Sequence, residues 1–358
     1  MSAGDPISRL RERMAEKGVE AALITHIVAV RWLTGFTGSS GFVILTPADG
    51  VFVSDSRYNE QAREQVTGLP VEIFATPVTA AEAIGAQAKR LALSKLAFEA
   101  EHVTFATHAS WAEKMDGIEL TAVEDLAGPL RMVKSPEEIE KIRHACGIAD
   151  ACFKHVQRLL QPGVTEYDIA LDIEFYIRRQ GAKVAFDVIA ISGPRSARPH
   201  GTPSERRLRK GDFVTMDFGA MYDGYCSDLT RTVVIGEASE RHREVYNAVL
   251  ETQNAAIEAM KPGVEAKTVD ALARSVLARH GLAKYFGHGL GHGVGRDVHD
   301  VGRMNAQSKD VLEPGQVWTV EPGVYIEGFG GCRIEDIVLI TESGNEALSH
   351  APKELMVL

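Results

Sequence analysis

A repeat in the second half of the chain leaves few folds open. Gln161-Pro162-Gly163-Val164 introduces a helical stretch that ends at Arg179-Gln180-Gly181, and Lys261-Pro262-Gly263-Val264 introduces another that ends at Arg279-His280-Gly281, 100 residues later. The two stretches have equal length. Lys210-Gly211-Asp212-Phe213-Val214-Thr215-Met216-Asp217-Phe218-Gly219 then aligns with Pro314-Gly315-Gln316-Val317-Trp318-Thr319-Val320-Glu321-Pro322-Gly323 at an offset of 104, which sets Asp217 on Glu321. Turn chemistry alone favours Pro-Gly, but it does not place an acid in register. Two halves, each a helix pair followed by a strand hairpin, imply a pseudo-twofold domain whose acidic residues lie where the halves meet.

The residues before the repeat are organised differently. Up to about residue 125, short β-branched runs alternate with helical stretches: VEAALI, then GFVILT and VFVSD around a turn at Pro47-Ala48-Asp49-Gly50, a polar helix near Tyr58 to Val66, VEIFAT, an alanine-rich helix near Ala80 to Leu93, KLAFEA, a helix around His108, and IELTAVE. This alternation predicts an α/β domain with a mixed sheet. Gly128-Pro129 interrupts the pattern, and Ser135-Pro136-Glu137-Glu138 follows. That tetrad offers an N-cap serine, a proline at the first helical position and a glutamate three residues after the cap, so a long helix to about Leu160 is expected to begin there. The expected domains are residues 1–130 and 131–358, in keeping with a length of 358 residues, beyond what one core usually serves.

Charge narrows the partners. Forty-nine acids against 39 bases give a formal charge of −10, the wrong sign for a protein that neutralises phosphates or sits on anionic lipid, so neither nucleic acid nor membrane is expected as a partner. No stretch approaches 18 consecutive apolar residues, and the first 24 mix acids and bases where a signal peptide would show a basic start and an apolar centre. A cytoplasmic protein is expected. Cys146, Cys152, Cys226 and Cys332 form no C-x-x-C pair and read as reduced, packing thiols rather than as disulfides or a sulfur-ligated metal site.

The residues that carry chemistry cluster in the repeat. Met216-Asp217-Phe218 and Cys226-Ser227-Asp228-Leu229 flank a turn at Asp223-Gly224. As a two-residue hairpin this sets residue 219 opposite residue 228, so Asp217 and Asp228 point to one side of the sheet. Two such carboxylates repel each other unless one is protonated or a cation lies between them. Downstream, glycine takes every second position from Gly287 to Gly295 around His288 and His292. A helix would lose about 1 kcal/mol per glycine relative to alanine, so an extended segment is expected, with both histidines on one face and glycine opposite, where another backbone can come close. His299 follows, whereas His280 reads as a helix-terminal residue. Thr319-Val320-Glu321 and Arg333-Ile334-Glu335 repeat the two-acid hairpin with glutamates. Two aspartates, two glutamates and one imidazole suit a pair of hard or borderline divalent ions such as manganese.

The order Asp217, Asp228, His292, Glu321, Glu335, within the phrases MDFGA, SDLTRT, GHGLGHGVG, VEPG and RIED, resembles the pita-bread metallopeptidases: methionine aminopeptidase, prolidase and aminopeptidase P. The resemblance covers about residues 131 to 358 and matches all five of the family's metal ligands. It implies an α+β pita-bread (creatinase/aminopeptidase) domain with a pseudo-twofold repeat, preceded by a creatinase-type (ribonuclease H-like) α/β domain. It also implies roles: Asp217 on one ion, Asp228 and Glu335 bridging two, and His292 with Glu321 on the other. The ions are expected to be Mn2+, with Co2+ or Zn2+ as alternatives. By the same resemblance His288, His299 and His200, the last in Arg198-Pro199-His200-Gly201, are catalytic or substrate-binding histidines, and Arg333 braces the site from behind. A homodimer is the usual assembly in such a family.

An N-terminal domain sets the chain apart from most methionine aminopeptidases, and the intact acids set it apart from creatinase. Thr34-Gly35-Phe36-Thr37-Gly38-Ser39-Ser40-Gly41 and Asp55-Ser56-Arg57-Tyr58 look more like aminopeptidase P than prolidase. Release of the first residue from peptides with proline second is therefore the expected activity, with Xaa-Pro dipeptidase as the alternative and a non-catalytic peptide binder as the reading from another class. In the enzyme, a water activated by two ions would attack the carbonyl before proline, Glu321 would shuttle its proton, and His288 or His299 would meet the developing negative charge.

Overall fold

The computed structural model describes residues 5–358. They form two compact units, one ending at Arg131 and the other running from Met132 to Leu358.

The first unit is built on one six-stranded sheet with the order Val71–Phe74, Gly50–Asp55, Phe42–Leu45, Ala22–Ile24, Lys95–Glu99, Glu119–Val123. Both pairings of Phe42–Leu45 are antiparallel and the other three parallel, so the sheet is mixed. Successive strand residues serve opposite faces. Ala22, Ile24, Val43, Leu45 and Phe52 join one apolar cluster, and Leu23, Ile44, Val51 and Val53 join the other. Both faces are covered, which is why these strands read as unbroken apolar runs. Three helices lie outside the sequence-based expectations, Pro6–Glu16, Ile27–Thr34 and Gly128–Met132, the last on the Gly128-Pro129 pair that reads as an interruption. The second, IVAVRWLT, is rich in residues that favour strands and buries Val28, Val30, Trp32 and Leu33. Gly35, at φ +75°, ends it by donating its N–H to Arg31 O.

In the second unit the long helix is Pro136–Val156, capped by Ser135 and Glu138 in a reciprocal box. The repeat is visible in its hydrogen bonds. Gly163 N–H donates to Leu208 O and Leu208 N–H to Val164 O, while Gly263 N–H donates to Leu312 O and Leu312 N–H to Val264 O. Both glycines have positive φ, +95° and +82°, which a residue with a Cβ adopts only at a cost. These turns lead into the helices Glu166–Arg179 and Ala266–Arg279.

Each helix then packs on its own sheet. Ile169, Ile173 and Ile177 meet Val214, Met216 and Phe218 in one core, and Val269, Ala273 and Leu277 meet Trp318 and Val320 in the other. Burial of side chains of the valine, leucine and isoleucine size stabilises by about 1.5–3 kcal/mol each. It also decides where the intervening residues point. With Met216 and Phe218 facing the helices, Asp217 faces away, and with Trp318 and Val320 facing theirs, so does Glu321.

Candidate metal centre

Every expected ligand sits at the end or in the middle of a short strand. Asp217 is the fifth residue of Phe213–Phe218 and lies opposite Thr230, and the same register continues through Met221↔Cys226 to the turn at Asp223-Gly224. Asp228 immediately precedes Leu229–Val234. Glu321 and Glu335 immediately follow Val317–Val320 and precede Asp336–Ile340, whose pairing sets Val320 opposite Asp336. His292 is the middle residue of Gly291–Gly293. The extended segment expected from Gly287 onward is regular strand only over those three residues. A Cβ at Gly291 would collide with Thr319 O and one at Gly293 with Val301 O, so glycine there lets the histidine strand press between its neighbours.

All nine residues singled out in the sequence line one cavity of about 270 Å3: His200, Asp217, Asp228, His288, His292, His299, Glu321, Arg333 and Glu335. His292 Nε2 is 3.6 Å from both Asp228 Oδ2 and Glu321 Oε1. Its Nδ1 faces Gly293 O at 3.1 Å. A carbonyl only accepts, so the proton sits on Nδ1 and the Nε2 lone pair is turned to the acids. The two halves of the repeat join here, since Glu335 N–H donates to Thr230 O (3.1 Å) and the Thr230 hydroxyl to Glu335 Oε2 (2.6 Å).

Electrostatics set this cluster apart. Burial, reinforced by the charges of Glu335, Asp217 and Glu321, pushes the Asp228 carboxyl well above its ordinary value, and burial with Glu321 and Asp217 does the same to Glu335. Glu321 is raised to about 8, chiefly by burial. Burial lowers His292 to about 3 and His288 to about 4, keeping both neutral. Among the described residues, Arg333 is the one guanidinium hydrogen-bonded to their carboxylates, through Nη2 to Asp217 Oδ2 at 2.6 Å, while Arg231 Nη1 donates to the backbone carbonyl of Glu335.

Divalent ions fit these residues. Asp217 Oδ1 is buried with no hydrogen-bond partner, and one ligand atom each from Asp228, His292 and Glu335 lie within 4.8 Å of one another. Among the described residues this is the only such group of three. The donors are carboxylate oxygens and an unprotonated imidazole, as hard or borderline cations prefer. A cation there relieves repulsion that otherwise has to be met by holding protons.

Several residues of the site escaped the sequence reading. Tyr325 accepts from Arg333 Nη1 at 2.7 Å and meets His288 Nε2 at 2.9 Å. His288 Nδ1 faces Gly289 O at 2.8 Å, so it carries the proton, and the tyrosine hydroxyl donates to Nε2. Arg333 also donates to the Thr230 hydroxyl and to Pro199 O. Thr319 holds His292 in place by accepting its backbone N–H. A signal for Thr230 was present: Asp228, Thr230 and Thr232 alternate as polar residues in a strand whose Leu229 and Val233 are core. Phe186, Ile189, Pro199, Arg303 and Asn305 also line the cavity, with Gly289 and Gly291. Outside it, His280 ends its helix, but its ring meets Glu251, and all four cysteines are free and buried.

Comparison with known proteins agrees with this geometry. Residues 6–133 match the creatinase/prolidase N-terminal domain and residues 140–342 match metallopeptidase family M24. The chain is 36% identical to a Xaa-Pro dipeptidase of Pyrococcus horikoshii, over 98% of this chain and 99% of that protein. A solved Xaa-Pro dipeptidase from Bacillus anthracis superposes with a TM-score of 0.95 at 41% identity, covering 99% of this chain and 100% of that one. An X-Pro aminopeptidase from Thermotoga maritima superposes with a TM-score of 0.89 at 34% identity, covering 97% and 100%. With a two-domain creatinase/prolidase fold and a buried carboxylate-imidazole cluster suited to divalent cations, the chain belongs to metallopeptidase family M24.

Proposed function

We propose that this protein is an Xaa-Pro dipeptidase that hydrolyses the bond between the two residues of Xaa-Pro, with residues 132–358 as its catalytic domain. The observation that carries this reading is full-length similarity to proteins named Xaa-Pro dipeptidase, joined to the character of the cavity. Arg303 lines it and offers a cation to a free carboxylate, which a dipeptide carries on its second residue and a longer peptide does not. Phe186, Ile189 and Pro199 supply the apolar wall that a proline ring needs, since its nitrogen has no N–H to be satisfied.

Asp217, Asp228, His292, Glu321 and Glu335 would hold two divalent ions, Mn2+ being well matched to four carboxylates and one imidazole. Such ions supply Lewis acidity for amide hydrolysis and the counter-charge that the buried acids lack. The Glu321 carboxylate takes a proton from the attacking water and delivers it to the proline nitrogen as the C–N bond breaks. His299, exposed and with its ring centroid 4.3 Å from that of His292, donates to the carbonyl oxygen as negative charge develops there. Both nitrogens of His288 are engaged, so it acts as a wall of the site and holds the Tyr325 hydroxyl. His200 contacts substrate, and Arg333 keeps Asp217 oriented.

The phrases at residues 34–41 and 55–58, together with the Thermotoga maritima relative, favour aminopeptidase P as a second reading. Loop phrases weigh less than a cation placed in the cavity. Release of the first amino acid from Xaa-Pro and from Xaa-Pro-Yaa by the Mn2+-supplied protein decides between them. The dipeptide is expected to be cleaved and the tripeptide left largely intact; the reverse result selects the aminopeptidase, and cleavage of neither leaves a peptide binder.

A further inference from the structure

The segment that carries His288 has little regular structure to fix it, because the strand begins only at Gly291 and glycines stand at 287 and 289. Its backbone is held instead from the helix Ala266–Arg279. Arg274 Nη2 donates to the carbonyl of His288 itself at 2.6 Å and Nη1 to that of Phe286 at 3.1 Å. Asp270, one turn earlier, accepts from Leu290 N–H at 3.2 Å. The two side chains lock each other in a fork, with Arg274 Nε on Asp270 Oδ2 at 2.9 Å and Nη2 on Oδ1 at 3.1 Å. Arg274 also lies over the Phe286 ring, 4.6 Å from its centroid, and the Phe286 and His288 rings stand edge-on at 4.9 Å. Residues 286, 288 and 290 are thus all gripped from one helix turn.

We propose that Asp270 and Arg274 are positioning residues for His288, setting its ring against Tyr325. The inference rests on the proposed function, in which His288 forms part of the substrate site.

Two considerations favour positioning over bulk stability. Asp270 is fully buried, and an ion pair with one partner buried contributes little net stability compared with apolar packing, whereas a planar guanidinium fork fixes geometry through several donors at once. In addition, the other half of the repeat holds its own site histidine by a similar device. Glu166, fully buried on the equivalent helix, accepts from Ser192 N–H, Arg195 Nε and the Ser204 hydroxyl, and Arg195 Nη2 donates to Thr202 O. Those contacts bracket the loop that carries His200. The carboxylates occupy different positions on their helices, the first residue of one and the fifth of the other, so the shared feature is the grip and not the register.

A double-mutant cycle tests this on the full-length, Mn2+-supplied enzyme with Xaa-Pro as substrate. Arg274→Ala is expected to lower kcat about 10- to 100-fold, the range in which partners behind a site act, with bound Mn2+ unchanged because no ligand is touched. His288→Ala is expected to lower kcat by at least as much, and adding Arg274→Ala to it should then cost less than twofold more. Arg274→Lys, which keeps a positive charge beside Asp270 but cannot span both carbonyls, serves if the alanine variant does not fold, and its loss should likewise vanish when His288 is alanine. Multiplicative losses in the double variant, or full activity in Arg274→Ala, overturn the inference. Full activity in His288→Ala instead removes the role proposed for His288, so the two failures are distinguishable.

Discussion

Glu335 and Asp336 are neighbours in sequence, both buried, and they meet opposite surroundings. Asp336 accepts from Arg231 Nη2 at 2.7 Å, Gln253 Nε2 at 2.7 Å and Lys353 Nζ at 3.0 Å. Burial works to raise its carboxyl, yet Arg231 and Lys353 hold it below the ordinary value. Glu335 has the Thr230 hydroxyl and is surrounded by acids. A strand sends consecutive side chains to opposite faces, so a step of one residue separates an acid held charged by two cations from one at which burial and the neighbouring acids outweigh the single guanidinium of Arg333. The second cluster lacks the counter-charge that the first has, as a site for divalent cations requires.

The largest expected effect is therefore that of chelation. Stripping metal from the loaded enzyme should abolish hydrolysis and lower Tm by about 5–10 °C, since a ligand at 100 times its Kd stabilises by about 2.7 kcal/mol and each kcal/mol moves a unit of this size by about 2–4 °C. An unchanged melting curve with and without chelator would erase the contrast between the two acids. Next comes Arg231→Met, which leaves Asp336 short of its main partner. Urea unfolding should show a loss of about 3–5 kcal/mol while the protein still binds Mn2+; loss of metal at unaltered stability would show that Arg231 serves the other cluster.

The histidines sharpen the picture at the site itself. His292→Ala should lose bound metal, whereas His299→Ala should retain it and turn over about 100-fold more slowly. Equal metal loss in both variants would show these roles to be misassigned. The smallest effect is a slope with pH. Between its ordinary value of 4.5 and about 8, folded Glu321 keeps a proton that the unfolded chain has released, so stability falls as pH rises through that window. Neutral His288 and His292 act in the opposite sense, but only below their ordinary 6.5. With Asp228 and Glu335 also raised and acting in the same sense as Glu321, the metal-free protein should lose stability between pH 6.5 and 8, and saturating Mn2+ should flatten the slope.

Much of this was legible in the sequence because repeats and turns are local signals. The Ser135 capping box, the paired Pro-Gly turns and the acids in register each depend on a few adjacent residues. Tyr325 and Thr319 gave no such signal. Each acts through a contact with a residue distant in the chain or across a hairpin, and an isolated Tyr or Thr in a strand is ordinary. The helix Ile27–Thr34 was hidden for another reason: buried on nearly every side, it shows no amphipathic period, and its β-branched residues mimic a strand. The choice between dipeptidase and aminopeptidase was least legible, since it turns on what stands at the far end of the cavity, and short N-terminal phrases do not report on that.

The glycines beside His292 carry a consequence for how such a site changes over time. Neighbouring carbonyls fill the space where side chains at 291 and 293 would go, so the backbone that carries the imidazole admits no larger residue on either side. Arg303 and His200, by contrast, are exposed. New substrates can therefore be explored by altering the rim, while the reactive heart of the molecule stays where it is.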